Sequence, residues 1–412
     1  MHKIKVGLCC IQIDAYFQLM KQKLLFISFL VLLIVLEVLR VYFIMPFPGS
    51  QQSNTLEIAY WIGNNIVWLR GLLVICASYF LFKSYSSTKI FQKIIYAVFI
   101  IFYVVVFYLF NFRFLADKMF YQPKVVQFSN ANENRISKEK LVLGVVINGE
   151  PKAYPIQIIG YHHQVQDEIG GTPLLVTYCT VCRTGRVYEP TVNGKPETFR
   201  LVGMDHFNAM FEDASTKSWW RQVSGEAVAG PLKGAKLVEI PSRQMSLASW
   251  LQLYPSTKIL QPDSNFQKQY AALDGYDNGS LSSFLEKRDT ISWQPKSFVV
   301  GIVYKNVSKA YDWNNLQKEG IVQDSLPALS LLLTVEKNNA SFHSFNRELN
   351  GVVYNFQLDA EKRNMIDTNT GSTWTVQGAC ISGSLKGSYL NPIQSYQEFW
   401  HSWQTFHPGT MQ

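Results

Sequence analysis

The sequence predicts an N-terminal part of three transmembrane helices followed by a β-rich α+β soluble domain built from two tandem repeats. Three observations carry this. Long apolar runs crowd the first third of the 412 residues. Beyond them the texture changes to short β-rich runs broken by Gly, Pro and Asn. That second part also matches itself at a nearly constant offset.

Residues 24–47, 58–82 and 94–112 are almost wholly apolar, each close to the roughly 20 residues that cross a bilayer. A cleaved signal peptide competes for the first run, but no small-residue cleavage site follows it and the run exceeds a signal's apolar core. Lys3, Lys5, Lys21 and Lys23 precede the first span, the connection 48–56 has no Lys or Arg, and Lys83, Lys89 and Lys93 separate the second from the third. Positive charge marks cytoplasmic loops, so residues 1–23 are expected in the cytoplasm and everything after the third span outside it. Arg113, Lys118 and Lys124 pull the other way. The expectation is a multi-pass protein of the inner (cytoplasmic) membrane with the bilayer as its partner. Glu37, Arg40 and Arg70 fall inside the spans, where charge is costly unless paired or snorkelling. One reading is a buried Glu37–Arg70 pair serving as a relay; the other is helix packing with snorkelling ends.

The net charge of +8 comes with no block of Lys and Arg, so a nucleic-acid partner is not expected. Six cysteines are too few for a disulfide scaffold. Cys9 and Cys10 lie near the start, Cys76 in an apolar run and Cys380 alone, whereas Cys179 and Cys182 are spaced for joint chemistry.

The soluble part divides into a first repeat at 121–260, a linker at 261–297 and a second, degenerate repeat at 298–412. Leu143-Gly144-Val145-Val146 with Lys152-Ala153-Tyr154 recurs 157 positions on as Val300-Gly301-Ile302-Val303 with Lys309-Ala310-Tyr311. The same offset pairs Asp167 with Asp324. After two small gaps, Asp213, Thr216, Ser218 and Trp220 match Asp367, Thr370, Ser372 and Trp374, and Trp250 matches Trp403. Within the first unit we expect a strand pair over 142–156, a helical turn near 158–163 and a strand at 174–178. Further strands are expected through 187–202 and 227–240, then a helix at 246–254 stopped by Pro255. The Asp-x-x-Thr-x-Ser-x-Trp string suits a turn in which Asp and Thr side chains bond the local backbone. The linker is expected to drape over the surface, with a short helix near 282–287.

The offset also shows what differs. Glu336 stands opposite Cys179, Asn339 opposite Cys182, Glu319 opposite His162 and Gly320 opposite His163. The thiols and imidazoles are therefore not needed for the fold itself. Three readings stay open for Cys179 and Cys182. A metal site would add His162 or His206, because soft sulfur and imidazole suit zinc, copper or iron. A redox dithiol would draw on the positive charge of Arg183 and Arg186. A structural disulfide is natural outside the cytoplasm. Arg183 occupies the place where a haem-binding Cys-x-x-Cys-His needs histidine. His163, Asp167 and Arg183 are candidates for supporting roles, although Asp167 recurs as Asp324 where no histidine accompanies it. No Gly-x-Ser-x-Gly elbow, phosphate-binding Gly-x-x-x-x-Gly-Lys loop or His-Glu-x-x-His occurs.

Ala153-Tyr154-Pro155, His162 with Val165 and Asp167, Gly170-Gly171-x-Pro173 and Thr177-Tyr178-Cys179-x-x-Cys182 resemble the uncharacterised prokaryotic family called domain of unknown function 3179. The string from Asp213 through Gln222 to Gly225, Leu385-Lys386-Gly387 and the ending from Trp403 to Pro408 are similar too, so the resemblance covers about residues 135–410. His163, Gln166 and Thr180-Val181 stand where the family usually has Glu, Asn and Pro-Leu. The resemblance implies membership but lends no activity; export signals common in the family agree with an extracytoplasmic domain. Two functions are expected as alternatives: an extracytoplasmic Cys/His site binding a transition metal or cycling as a dithiol, or a non-catalytic envelope binding or scaffolding module stapled by a Cys179–Cys182 disulfide. Whether the chain is an enzyme stays open.

Overall fold

Three helices open the computed structural model: His2–Tyr42, Leu56–Tyr85 and Ile90–Phe112. The structure describes residues 2–361 and 363–412, with side chains from residue 16 onward. The charges of Lys3 and Lys5 and the thiols of Cys9 and Cys10 thus lie outside the described residues. Segments Tyr16–Tyr42, Leu56–Tyr85 and Ile90–Phe112 are long and apolar enough to cross a membrane. The first helix stops at Tyr42, short of the expected residue 47. Pro46 has no N–H to continue the ladder, and its ring would meet the carbonyl four residues back. Inside this bundle Glu37 is fully buried and receives Arg70 Nε at 2.6 Å, Arg70 Nη2 at 2.9 Å and Asn111 Nδ2 at 2.9 Å. The ion pair read from the sequence is formed, and Asn111 satisfies a remaining carboxylate lone pair.

The chain divides into two compact units, one of residues 1–119 with Val202–Asp205, the other of Phe120–Leu201 with His206–Gln412. The second unit is built of small sheets. Strands Leu141–Ile147 and Glu150–Pro155 form a hairpin, followed by the seven-residue helix Ile156–His162 and the sheet strands Gln164–Ile169, Thr172–Cys179 and Thr184–Glu189. Strand Ser242–Ser246 pairs with the first strand of the hairpin, and Ser246 caps helix Leu247–Leu253 by accepting from Ser249 N–H. Past residue 297 the order recurs: strands Phe298–Tyr304 and Val307–Asp312, helix Trp313–Glu319, strands Ile321–Leu326, Leu329–Val335 and Phe342–Asn346, and finally Tyr396–Phe399 with helix Trp400–Phe406.

Matching residues make matching contacts. Gly144 lies over the Trp250 ring, so a Cβ there would sit 2.3 Å from it, and a Cβ on Gly301 would sit 2.1 Å from Trp403. Each indole N–H donates at 2.9 Å to a threonine, Thr257 or Thr410. Trp220 and Trp374 likewise donate at 2.9 Å to Asp213 and Asp367, whose carboxylates also hold Thr216 and Thr370. The structure therefore gives this string the turn geometry expected of it, with the carboxylate fixing backbone and indole together.

The connection 261–297 departs from the expected draped linker. Its helix is Gln267–Ala271, preceded by a tight turn that Asp263 caps. Phe266, Tyr270 and Tyr276 are buried in the core of the first half. The segment 282–287 forms no helix; Phe284 is almost fully exposed and offers no apolar face to bury.

Candidate functional site: a buried thiol pair

Cys179 ends strand Thr172–Cys179, and Cys182 lies in the hairpin loop before strand Thr184–Glu189, where Cys179 pairs with Thr184. Arg183 closes this loop in a left-handed conformation (φ 57°), which frees both thiols to point one way. They meet the turn formed by His206 and Phe207, both of positive φ (51° and 67°). Such backbone strain in two adjacent non-glycine residues costs of order 1–3 kcal/mol each and gathers at functional sites. The turn delivers one carbonyl to both sulfurs: Phe207 O accepts from Cys182 Sγ at 3.3 Å and from Cys179 Sγ at 3.5 Å. Both thiols are free and fully buried.

The two are electrostatically unequal. Burial alone would raise the Cys179 thiol. Hydrogen bonds from the Cys182 thiol and from the N–H groups of Ala209 and Cys182, with the charge of Lys296, bring it below the ordinary value instead. Cys182 is pushed well above that value by burial and by the adjacent Cys179 sulfur. One thiol is thus shifted toward the thiolate and the other away from it.

The setting is not made by residues 121–260 alone. Lys296 Nζ lies 2.5 Å from Val181 O, inside the thiol loop, and 3.2 Å from His401 Nε2, which is 3.1 Å from the same carbonyl. Phe399 N–H donates to Cys182 O at 2.9 Å, and Ser402 lowers the proton affinity of the Cys182 thiol. Burial and the Lys296 charge bring His401 down to about 4, so its imidazole is neutral at physiological pH. Sequence reasoning missed Lys296, His401 and Ser402. One signal was available: His401 stands where the offset of 153 puts Ala248, a histidine without a counterpart at the matching position.

Of the other expected site residues, His206 lies in the turn against the thiols and the rest make other contacts. His162 spends both ring nitrogens on Tyr121 O and, at 2.7 Å, on the Tyr270 hydroxyl. His163 holds the left-handed position after the short helix, where Gly320 stands in the other half, and its Nδ1 is 2.9 Å from Tyr178 O. Burial pushes it down to about 4. Arg183 turns away from the sulfurs, donating to Gln397, Tyr276 O and Asp277 O over the Phe298 ring. Asp167 is held by Lys152 at 2.8 Å and Tyr154 at 2.7 Å, as Asp324 is by Lys309 and Tyr311. His206 sits in the turn that carries Phe207.

Over residues 120–410 the chain matches the family described as Protein of unknown function (DUF3179). It belongs to the DUF3179 family. No curated protein and no solved structure matches the chain. The family segment holds every residue of the thiol site, Lys296 and His401 included. Among the described residues no group of three or more His, Cys, Asp or Glu is arranged to hold a metal ion. The DUF3179 site offers two sulfurs, whereas structural zinc takes four ligands.

Proposed function

We propose that this DUF3179 protein is anchored in the inner membrane, displays its family domain outside the cytoplasm, and uses Cys179 and Cys182 as a thiol–disulfide couple. The unequal thiols sharing the Phe207 carbonyl carry this reading. In the exchange, the Cys179 thiolate attacks a disulfide of a partner protein and displaces one partner thiolate. Cys182, deprotonated, then attacks Cys179 and releases the second. Two protons and two electrons leave the pair, and the partner's disulfide becomes two thiols. Phe207, Lys296 and His401 are partly exposed beside the buried sulfurs, so movement of these three is what admits a partner. The lysines before the first span and between the second and third support the orientation.

We also infer that 121–260 and 298–412 are two copies of one unit. The offset matches and the paired Gly–Trp and Asp–Trp contacts support this. In this reading the second copy gave up its thiols and instead supplies the His401 imidazole beside those of the first, while the connection before it supplies the Lys296 cation.

The test uses full-length protein in detergent, equilibrated across glutathione redox buffers, with alkylation mapped by mass spectrometry. The expected result is reversible conversion of the pair between dithiol and disulfide, with Cys179 the faster thiol to be alkylated. A pair that keeps one state across the whole range, or a Cys182 that reacts first, overturns the redox reading. Full burial of both sulfurs favours the second reading, a structural staple in a scaffolding module. It predicts that Cys179→Ser costs roughly 2–4 kcal/mol of stability in oxidised protein.

A further inference from the structure

A cleft of about 340 Å³ opens between strands Ser242–Ser246 and Phe342–Asn346, within the volume range of small-molecule sites, and shares no residue with the thiol centre. Three polar groups line it without being satisfied by the protein. Arg243 has no acidic or hydrogen-bonded side-chain partner among the described residues. The Ser242 hydroxyl is buried without a partner, in a residue 5% exposed. His343 gives Nε2 to Glu336 Oε1 at 2.8 Å, and Glu336 is fixed in turn by Ser249 at 2.6 Å, which orients the ring and leaves Nδ1 unbonded. Val146, Tyr254 and Ile393 supply accessible apolar wall.

The corresponding place in the other half is filled. Arg186, 157 positions before His343, stacks 3.5 Å over the Tyr396 ring, and Tyr396 lies 153 positions after Arg243. There the guanidinium is neutralised by Glu398. In the cleft the residues are exchanged in kind, leaving space and an uncompensated guanidinium. This comparison rests on the duplication reading; the cleft and its unsatisfied groups do not.

We propose that the cleft binds a small monocarboxylate with an aromatic or apolar body. An arginine fork matches a carboxylate in two parallel hydrogen bonds, a buried hydroxyl without a partner gains one, and the Tyr254 ring with Val146 and Ile393 takes the apolar part. The bare-anion alternative lacks a reason for the apolar wall.

The test titrates full-length protein in detergent with phenylacetate, phenylacetamide and inorganic phosphate, read by saturation-transfer NMR and by isothermal titration calorimetry. Phenylacetate is expected to bind at least about 10-fold more tightly than phenylacetamide, and Arg243→Gln to remove that preference at an unchanged melting temperature. Ser242→Ala, a smaller change that spares the guanidinium, is expected to weaken phenylacetate binding and leave phenylacetamide unaffected. Equal binding of acid and amide, binding of phosphate alone, or an affinity indifferent to both substitutions overturns the assignment.

Discussion

Lys296 lowers the proton affinity of both Cys179 and Cys182, so it is the residue through which the thiol pair is open to a pH test. The sign is fixed by charge: an ammonium stabilises the thiolate, and removing it raises the thiol. Lys296→Met should therefore move the pH midpoint of Cys179 alkylation by iodoacetamide upward and slow the reaction at neutral pH. Lys296→Arg, which keeps the charge, should hold the midpoint near that of the parent. A midpoint unmoved by Lys296→Met would remove the lysine from the site. At this scale the sequence showed half of the site. The spacing of Cys179 and Cys182 is local and therefore visible, whereas Lys296 and His401 arrive from more than a hundred positions away through tertiary packing that no spacing encodes. His162 failed as a partner for the sulfurs because the Tyr270 hydroxyl, from a segment read as linker, had already claimed its second nitrogen.

Strand periodicity and turn residues made the hairpins and short helices legible, with boundaries within two or three residues, because each such element buries one face by local rule. Among the missed elements, Gln267–Ala271 is too short to show a period and exists because Phe266 and Tyr270 have a core to enter. The pairing of hairpin with C-terminal tryptophan is the element-level feature most open to test. Adding one methyl to Gly144 or Gly301 places it within 2.3 or 2.1 Å of an indole that is fully buried and held by its own hydrogen bond. The ring cannot retreat without breaking that bond, so overpacking falls on the strands. Gly144→Ala and Gly301→Ala should each lower stability by about 1–3 kcal/mol, read as the midpoint of denaturant unfolding. Similar losses at the two sites would support equivalent packing; a neutral Gly301→Ala would deny it.

The halves of the soluble domain are joined through a charge that neither would bury alone. Arg186 from the first is 2% exposed and ion-paired with Glu398 of the second, which is fully buried; Ser402 also donates to Glu398, at 3.0 Å. Glu239 stands further off, 3.7 Å from Arg186 Nε. Burying two charges gives little net stability when both are present, because desolvation offsets attraction, but removing one leaves the other uncompensated. The two losses are unequal. Arg186→Met strands Glu398 with only a serine hydroxyl, whereas Glu398→Leu leaves Arg186 within reach of Glu239. Arg186→Met should therefore cost about 3–5 kcal/mol, Glu398→Leu less, and the double variant should recover much of the first loss. Because Phe399 N–H, next to Glu398, holds the Cys182 carbonyl, the single Arg186 variant should also expose the thiols to faster alkylation, and the double variant should restore their protection. Losses that simply add in the double variant would mean that the pair does not couple the halves, and the thiol site would then owe its enclosure to Lys296 and His401 alone.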